Sequence, residues 1–108
     1  MRSILFSLFF VSAPALAGGN ATAGGAVYQA NCSICHGAAA DGKGAAGAAM
    51  NPKPVDFTSA EWWVGQTDSS VSAMIKNGKP GTPMTGFSFL GDAKIDDIVA
   101  FLNTKKPQ

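Results

Sequence analysis

Residues 32–36 read Cys-Ser-Ile-Cys-His, a Cys-x-x-Cys-His motif that holds every cysteine and histidine of the chain. Two cysteines three positions apart share one face of a helix, so both thiols reach the same neighbouring group. The histidine that follows offers an imidazole nitrogen to a metal. This spacing attaches haem c covalently, with each thiol forming a thioether to one vinyl group. The motif therefore predicts one haem c, bound through Cys32 and Cys35, with His36 as an axial iron ligand.

Three other uses of the motif fit the chain poorly. A zinc site needs about four cysteine or histidine ligands, and this chain offers three. A thioredoxin-like redox pair belongs to a β-α-β context, and no strand pattern precedes the motif. A structural disulfide between Cys32 and Cys35 would close a very short loop and would add little stability. Haem attachment is therefore the preferred interpretation.

The length and charge of the chain exclude several classes of protein. At 108 residues there is room for one domain, and a formal net charge of +1 with scattered lysines is not typical of a nucleic-acid-binding protein. The first 17 residues are typical of a signal peptide. Arg2 precedes a short apolar run over 4–11, and Ala15-Leu16-Ala17 is an A-x-A cleavage site.

The predicted signal peptide indicates export to the bacterial periplasm, where haem c is attached. The domain would then comprise residues 18–108, and it would have no membrane span after cleavage, because the apolar run is too short to cross a bilayer. An uncleaved N-terminal anchor is the alternative.

Helices are predicted at both ends of the domain. One runs from about Ala21 to the Cys-x-x-Cys-His motif, capped by Asn20, with Gly24 on its packing face so that another helix can approach closely. The other runs from about Asp92 to Asn103 and carries a regular apolar stripe, formed by Ile95, Ile98, Val99 and Leu102. We expect these two helices to pack across each other, with Phe101 near Gly24.

The middle of the chain is predicted as a loop followed by two helices. Residues 37–54 lack periodicity, and a carbonyl near Pro52 is the candidate acceptor for the second ring nitrogen of His36. Thr58-Ser59-Ala60-Glu61 is a capping-box pattern that opens a short helix. In that helix Trp62 is expected in the core, and Trp63 either lines the haem or packs. Thr67 caps the next helix, whose apolar face comprises Val71, Met74 and Ile75.

The loop over 79–87 contains a methionine, Met84, among two prolines and two glycines. A stiff loop of this kind holds one side chain against a fixed target, and a thioether favours reduced iron. Met84 is therefore the candidate for the second axial ligand. Met50, in the earlier loop, is an alternative, whereas Met74 is expected in the core.

The sequence resembles the class I c-type cytochromes over nearly all of residues 18–108. The resemblance rests on Gly24-x-x-x-Tyr28-x-x-x-Cys32-x-x-Cys35-His36, on the proline-rich stretch before Asp56-Phe57, on the Met84 loop and on the terminal helix. It implies an all-α fold of four or so helices around one covalent haem, with the N- and C-terminal helices crossing. It also implies thioethers at Cys32 and Cys35, a proximal His36 and a distal Met84.

These observations favour a monomeric, non-enzymatic carrier of single electrons between redox proteins, such as a donor dehydrogenase or complex and an acceptor oxidase or reductase. Four lysines are candidates for a basic ring that steers acidic partners, namely Lys43, Lys53, Lys76 and Lys79. Two alternatives remain open. One is a gas sensor or small peroxidase-like enzyme with a labile sixth iron position, and the other is a subunit permanently bound to one oxidoreductase.

Overall fold

The computed structural model describes residues 19–108, which form five α-helices and two 3₁₀ turns without a strand. The predicted signal peptide, residues 1–17, lies outside the described residues. The all-α prediction is confirmed. In chain order the helices are α1 (Ala21–Asn31), α2 (Ser33–His36), α3 (Ala60–Trp63), α4 (Asp68–Asn77) and α5 (Asp92–Asn103), and the 3₁₀ turns are Gly47–Ala49 and Ser88–Leu90.

Helices α1 and α5 pack together at a glycine. Gly24 is buried, and a Cβ atom built on it would overlap the main-chain carbonyl of Asp97. The Asn20 N–H donates to Asp97 Oδ1 at 2.7 Å, while Asn20 Oδ1 accepts from the Ala23 N–H at 2.9 Å and caps α1. The predicted role of Gly24 in a close helix approach is therefore confirmed.

Tyr28 joins the two terminal helices to the segment after the motif. Its ring lies 4.9 Å from the ring of Phe101 between centroids, and its hydroxyl donates to the Gly37 carbonyl at 2.6 Å. Burial raises the pKa of Tyr28, and the neighbouring Cys32 and Asp41 raise it further, so the hydroxyl stays protonated and can donate. The predicted apolar stripe of α5 is buried in the same core, at Ile95, Ile98, Val99 and Leu102.

The two middle helices begin differently from each other. Thr67 is the N-cap of α4, as predicted, and it forms a capping box with Ser70. The capping box predicted over 58–61 is wrong, because α3 has Ser59 as its N-cap, without a side-chain bond. Thr58 instead donates its main-chain N–H to Asp56 Oδ1 at 2.8 Å, and this bond, with that of the Thr58 hydroxyl, holds the pKa of Asp56 below its ordinary value.

The first helix is interrupted at Cys32, the first residue of the Cys-x-x-Cys-His motif. Ser33 Oγ donates to the Gln29 carbonyl at 2.6 Å, the acceptor that an unbroken helix would pair with the Ser33 N–H. Cys32 is the residue between α1 and α2, and α2 carries the rest of the motif. Within residues 19–108, none of the helices has both the length and the apolar character that crossing a membrane requires.

Candidate functional site

The four residues predicted to hold a cofactor line one cavity. Cys32, Cys35 and His36 border it from α2 and the residue before it, and Met84 borders it from the loop that follows α4. The cavity encloses about 1000 Å³, counted out to its open mouth. The structure therefore brings together side chains that are up to 52 positions apart in the sequence, the difference between 84 and 32.

The rest of the lining is mostly apolar. Large hydrophobic side chains of the loop before α3, of α3, of α4 and of the loop before α5 face the cavity, namely Val55, Phe57, Trp62, Val71, Ile75 and Phe87. Among the described residues, no three histidine, cysteine or acidic side chains cluster as they would around a bare metal ion. Two thiols, an imidazole and a thioether around a large apolar cavity fit haem c, whose ring is apolar and whose iron takes nitrogen and sulfur ligands.

His36 is oriented by a main-chain carbonyl. Its Nδ1 lies 3.1 Å from the Val55 carbonyl oxygen. We assign the ring proton to Nδ1, which then donates to that oxygen and leaves Nε2 free for a metal. The predicted acceptor near Pro52 is therefore displaced by three positions, to Val55. Burial lowers the pKa of His36 and the Val55 bond partly opposes this, so the net effect favours the neutral imidazole that binds metals.

The two cysteines do not have the character of a redox pair. Both are free thiols, and burial, with a smaller contribution from Cys35, raises the pKa of Cys32 to about 11. A thiol that attacks disulfides has a lowered pKa in an electropositive environment. The environment of Cys32 therefore argues against thiol–disulfide exchange, in agreement with the interpretation of the motif.

The glycine-rich segment after the motif folds back along α2. The N–H groups of Gly42, Gly44 and Ala46 donate to the carbonyls of residues 36, 35 and 34 at 2.7, 3.1 and 3.0 Å. A Cβ atom on Gly44 would collide with the main chain at 34–35, and one on Gly47 would lie 2.5 Å from the Cys35 oxygen. These glycines allow the loop to hold the motif in place. The sequence pattern predicts only a loop here, and the spacing of its glycines is the signal that indicates its packing along α2.

All three methionines of the described chain line the cavity. Met84 and Met50 are half-buried in loops, and Met74, expected in the core, is half-buried as well and faces the same space. Helix periodicity correctly places Met74 on the same face of α4 as Val71 and Ile75. That face lines the cavity, so Met74 lines it too. The choice of Met84 as the second ligand stays a prediction.

The expectation for Trp62 is wrong, whereas packing, one of the two roles expected for Trp63, is observed. Trp63 is 6% exposed and donates its indole N–H to the Phe57 carbonyl at 2.8 Å, so it belongs to the core. Trp62 is half-buried and lines the cavity. The helix begins one residue later than the predicted capping box implied, which rotates the assignment of its faces by about 100°.

Two of the four candidate lysines border the cavity. Lys53 and Lys79 line it, and no acidic residue is among the lining side chains that the structure describes. Lys76 instead forms an ion pair with Asp92, with Nζ and Oδ1 3.2 Å apart. Lys43 is exposed and does not border the cavity. The mouth of the cavity is therefore positively charged at two points.

The chain is similar to known proteins in two comparisons. The family model described as cytochrome c oxidase, cbb3-type, subunit III matches residues 19–102. Among solved structures, a chain of the reducing HAO-like protein complex of Kuenenia stuttgartiensis is similar, with 25% sequence identity and a TM-score of 0.71. The match covers 81% of this chain and 43% of that chain, so this chain spans less than half of its relative's length. No curated protein matches the chain.

Proposed function

Because this chain belongs to the cytochrome c oxidase, cbb3-type, subunit III family and is a class I c-type cytochrome, we propose that it binds one haem c and carries single electrons between redox proteins. One observation carries the proposal: the two motif thiols, the His36 imidazole and the Met84 thioether line a single apolar cavity. The thiols of Cys32 and Cys35 would bind the haem covalently. His36 and Met84 would be the axial ligands of its iron.

The bound haem would supply a reversible one-electron couple at its iron. The protein's residues set the conditions for it. His36 presents Nε2 because Val55 holds Nδ1. Met84 offers a soft sulfur that stabilises reduced iron, and the apolar side chains around it exclude water. If His36 and Met84 both hold the iron, no position would be left for a substrate, and the chain would act as a carrier and not as an enzyme.

Electrons would then leave through the open mouth of the cavity to a docked partner. Lys53 and Lys79 border that mouth and would favour acidic partner surfaces. The partners we propose are a donor dehydrogenase or complex and an acceptor oxidase or reductase, met in small and transient interfaces. The signal peptide proposed at residues 1–17 would place the mature domain, 18–108, in the periplasm, as a monomer without a membrane span.

A second candidate is a carrier that stays bound to one oxidoreductase. The family's description names a subunit, and the similar solved chain is part of a protein complex. Three large hydrophobic side chains are exposed and are available for contacts with other subunits, namely Ile34, Val64 and Phe89. Co-purification with a stoichiometric partner after mild cell lysis would favour the bound subunit, and recovery as a free domain would favour the diffusing carrier.

The test is carbon monoxide binding. The full chain is expressed in a host that matures haem c, and the visible spectrum of the reduced protein is recorded before and after carbon monoxide is added. We expect no rapid change, because His36 and Met84 both occupy the iron. Rapid binding would show that Met84 is not a firm ligand and would favour the sensor or enzyme. A purified protein without covalently bound haem would refute the whole proposal, including the thioethers at Cys32 and Cys35.

A further inference from the structure

The segment from Gly78 to Gly86 returns against the end of α4. Gly78 has a φ of +73°, and a Cβ atom on it would lie 2.6 Å from the Met84 carbonyl oxygen and 2.8 Å from the Gly86 nitrogen. A Cβ atom on Gly86 would lie 2.6 Å from the Lys76 carbonyl oxygen. Real Cβ atoms do not come this close to main-chain atoms, so glycines are required on both sides of Met84. The main chain around Met84 therefore rests on a rigid helix end.

Inside this segment, the hydroxyl of Thr82 joins the two ends of the turn. Thr82 Oγ1 donates to the Lys79 carbonyl at 2.7 Å and accepts from the Met84 N–H at 3.2 Å. The Lys79 N–H in turn donates to the Met84 carbonyl at 3.0 Å. Thr82 is half-buried and lines the cavity beside Met84. Both main-chain polar groups of Met84 are thus bonded within the turn, one of them by a side chain.

The prolines of the turn explain why a side chain is needed there. Pro80 and Pro83 have no N–H, so neither can donate a main-chain bond within the turn. The Thr82 N–H does donate, to the Lys79 carbonyl at 3.2 Å, but no main-chain acceptor among the described residues pairs with the Met84 N–H. A residue before a proline is also biased towards extended backbone, and Thr82 precedes Pro83. The Met84 N–H therefore finds its acceptor in the Thr82 hydroxyl, which reaches back two residues as a serine or threonine turn does.

We propose that Thr82 is the positioning residue for the sixth iron ligand: its hydroxyl holds the Met84 main chain in place and thereby sets how rarely the thioether leaves the iron. The inference rests on the proposed function, in which Met84 is that ligand. Each bond of the hydroxyl makes a modest net contribution. Loss of both should raise the population with Met84 displaced about tenfold, which corresponds to about 1.4 kcal/mol.

The experiment compares three variants of the full-length holoprotein with wild type. Thr82→Val removes the hydroxyl with little change in shape. Thr82→Ser restores a hydroxyl at the same position. Thr104→Val is the matched control, because the exposed Thr104 hydroxyl also donates to a carbonyl three residues earlier, that of Phe101, but lies outside the cavity lining. The measured quantities are the rate of carbon monoxide binding to reduced protein and the long-wavelength absorption band that a thioether ligand gives to oxidised haem.

We expect carbon monoxide to bind Thr82→Val about tenfold faster than wild type and the long-wavelength band to weaken, while Thr82→Ser and Thr104→Val stay near wild type. Equal rates in Thr82→Val and wild type would overturn the role of Thr82 and leave the proposed function intact. Equal acceleration in Thr104→Val would also overturn it, since the loss of any such hydroxyl bond would then suffice. Rapid binding by wild type itself would overturn the closed iron site on which both proposals depend.

Discussion

The indole N–H of Trp63 donates to the main-chain carbonyl of Phe57, 2.8 Å away, across the start of α3. This bond fixes the segment whose Phe57 ring lies 5.0 Å from the His36 ring, between centroids, and 5.0 Å from that of Trp62. Phe57 is itself held from the other side, because its N–H donates to the Ala40 carbonyl at 2.8 Å. The proposed iron ligand is thus packed against a phenylalanine whose main chain is bonded at both its N–H and its carbonyl.

Replacement of Trp63 should cost more stability than replacement of Trp62. Trp63→Phe removes a donor from the buried Phe57 carbonyl and leaves space in the core, so we expect the free energy of unfolding to fall by about 2–3 kcal/mol. Trp62→Phe alters a half-buried ring and should cost less than about 1 kcal/mol. Denaturant unfolding of the two holoproteins measures both values. A larger loss in Trp62→Phe would contradict the placement of Trp63 in the core and of Trp62 at the cavity.

The glycines of α1 should respond in different ways to an added methyl group. Gly24→Ala places a Cβ atom into the Asp97 main chain, so α1 and α5 must separate, and we expect a loss of about 1–3 kcal/mol or more. In Gly25→Ala the new Cβ atom lies 3.2 Å from the Phe101 ring, a side chain that can shift. The gain of about 1 kcal/mol in helix propensity offsets that contact, so its stability should stay within about 1 kcal/mol of wild type.

Thermal unfolding followed by circular dichroism compares Gly24→Ala and Gly25→Ala directly. If the two variants melt together, close contact between α1 and α5 at Gly24 does not limit stability.

Replacing each cavity methionine with leucine should identify the second iron ligand. Leucine preserves the apolar volume and removes only the sulfur. We expect Met84→Leu to admit carbon monoxide and to lower the reduction potential of the haem. Axial ligands set haem potentials over a range of roughly 0.8 V, and the expected drop is about a tenth of that range or more. Met50→Leu and Met74→Leu should keep a closed iron and a near-native potential. The same effects in either of these two variants, with Met84→Leu unchanged, would move the ligand to that residue.

Charge reversal at the cavity mouth should change the rate of electron exchange with charged partners. Lys79→Glu should slow oxidation by an anionic iron complex about threefold or more at low salt and accelerate reaction with a cationic ruthenium complex, because Lys79 borders the cavity. Lys94→Glu carries the same charge change at an exposed position of α5, outside the cavity lining, and should have a smaller effect on both rates. Stopped-flow rates over a salt series measure both. Equal effects in the two variants would show that only net charge acts.

Lys76, grouped with Lys79 by sequence, is now expected to contribute less. Its ammonium lies 3.2 Å from the Asp92 carboxylate, so part of its field is cancelled locally. Sequence spacing cannot reveal this pair, because α4 and α5 meet only after the loop between them has folded.

Much of the fold was predictable because it depends on local patterns. The apolar spacing of α5 predicted four buried residues, and Thr67 capped α4 as its side chain allows. Gly24 was recognisable as a contact because a glycine on the packing face of a helix has few other uses. The capping box predicted over 58–61 is wrong because the Thr58 side chain has a competing partner. Its hydroxyl and its N–H donate to the Asp56 carboxylate, and Ser59 is the N-cap of α3 instead.

The composition of the candidate site was predictable and its supporting contacts were not. Cys32, Cys35 and His36 form one contiguous motif, and Met84 lies in a loop that two prolines make stiff, so the sequence alone predicts all four as site residues. All four line one cavity, and their roles at a haem stay predictions. The Val55 carbonyl, by contrast, is one of many in the loop before α3. Only the folded path of that loop determines which carbonyl meets the His36 ring.

By itself, the sequence determined that this chain is all-α and where its Cys-x-x-Cys-His motif lies, because covalent haem attachment would need a fixed spacing and helix faces need a fixed period. Only the tertiary structure decided which tryptophan faces the cavity, that three methionines share it, and that Thr82 joins Lys79 to Met84. The physical reason is that these contacts join segments through irregular loops. The direction of each loop depends on packing and on the main-chain groups that prolines and helix ends leave without partners. The spacing of residues along the chain does not indicate these contacts.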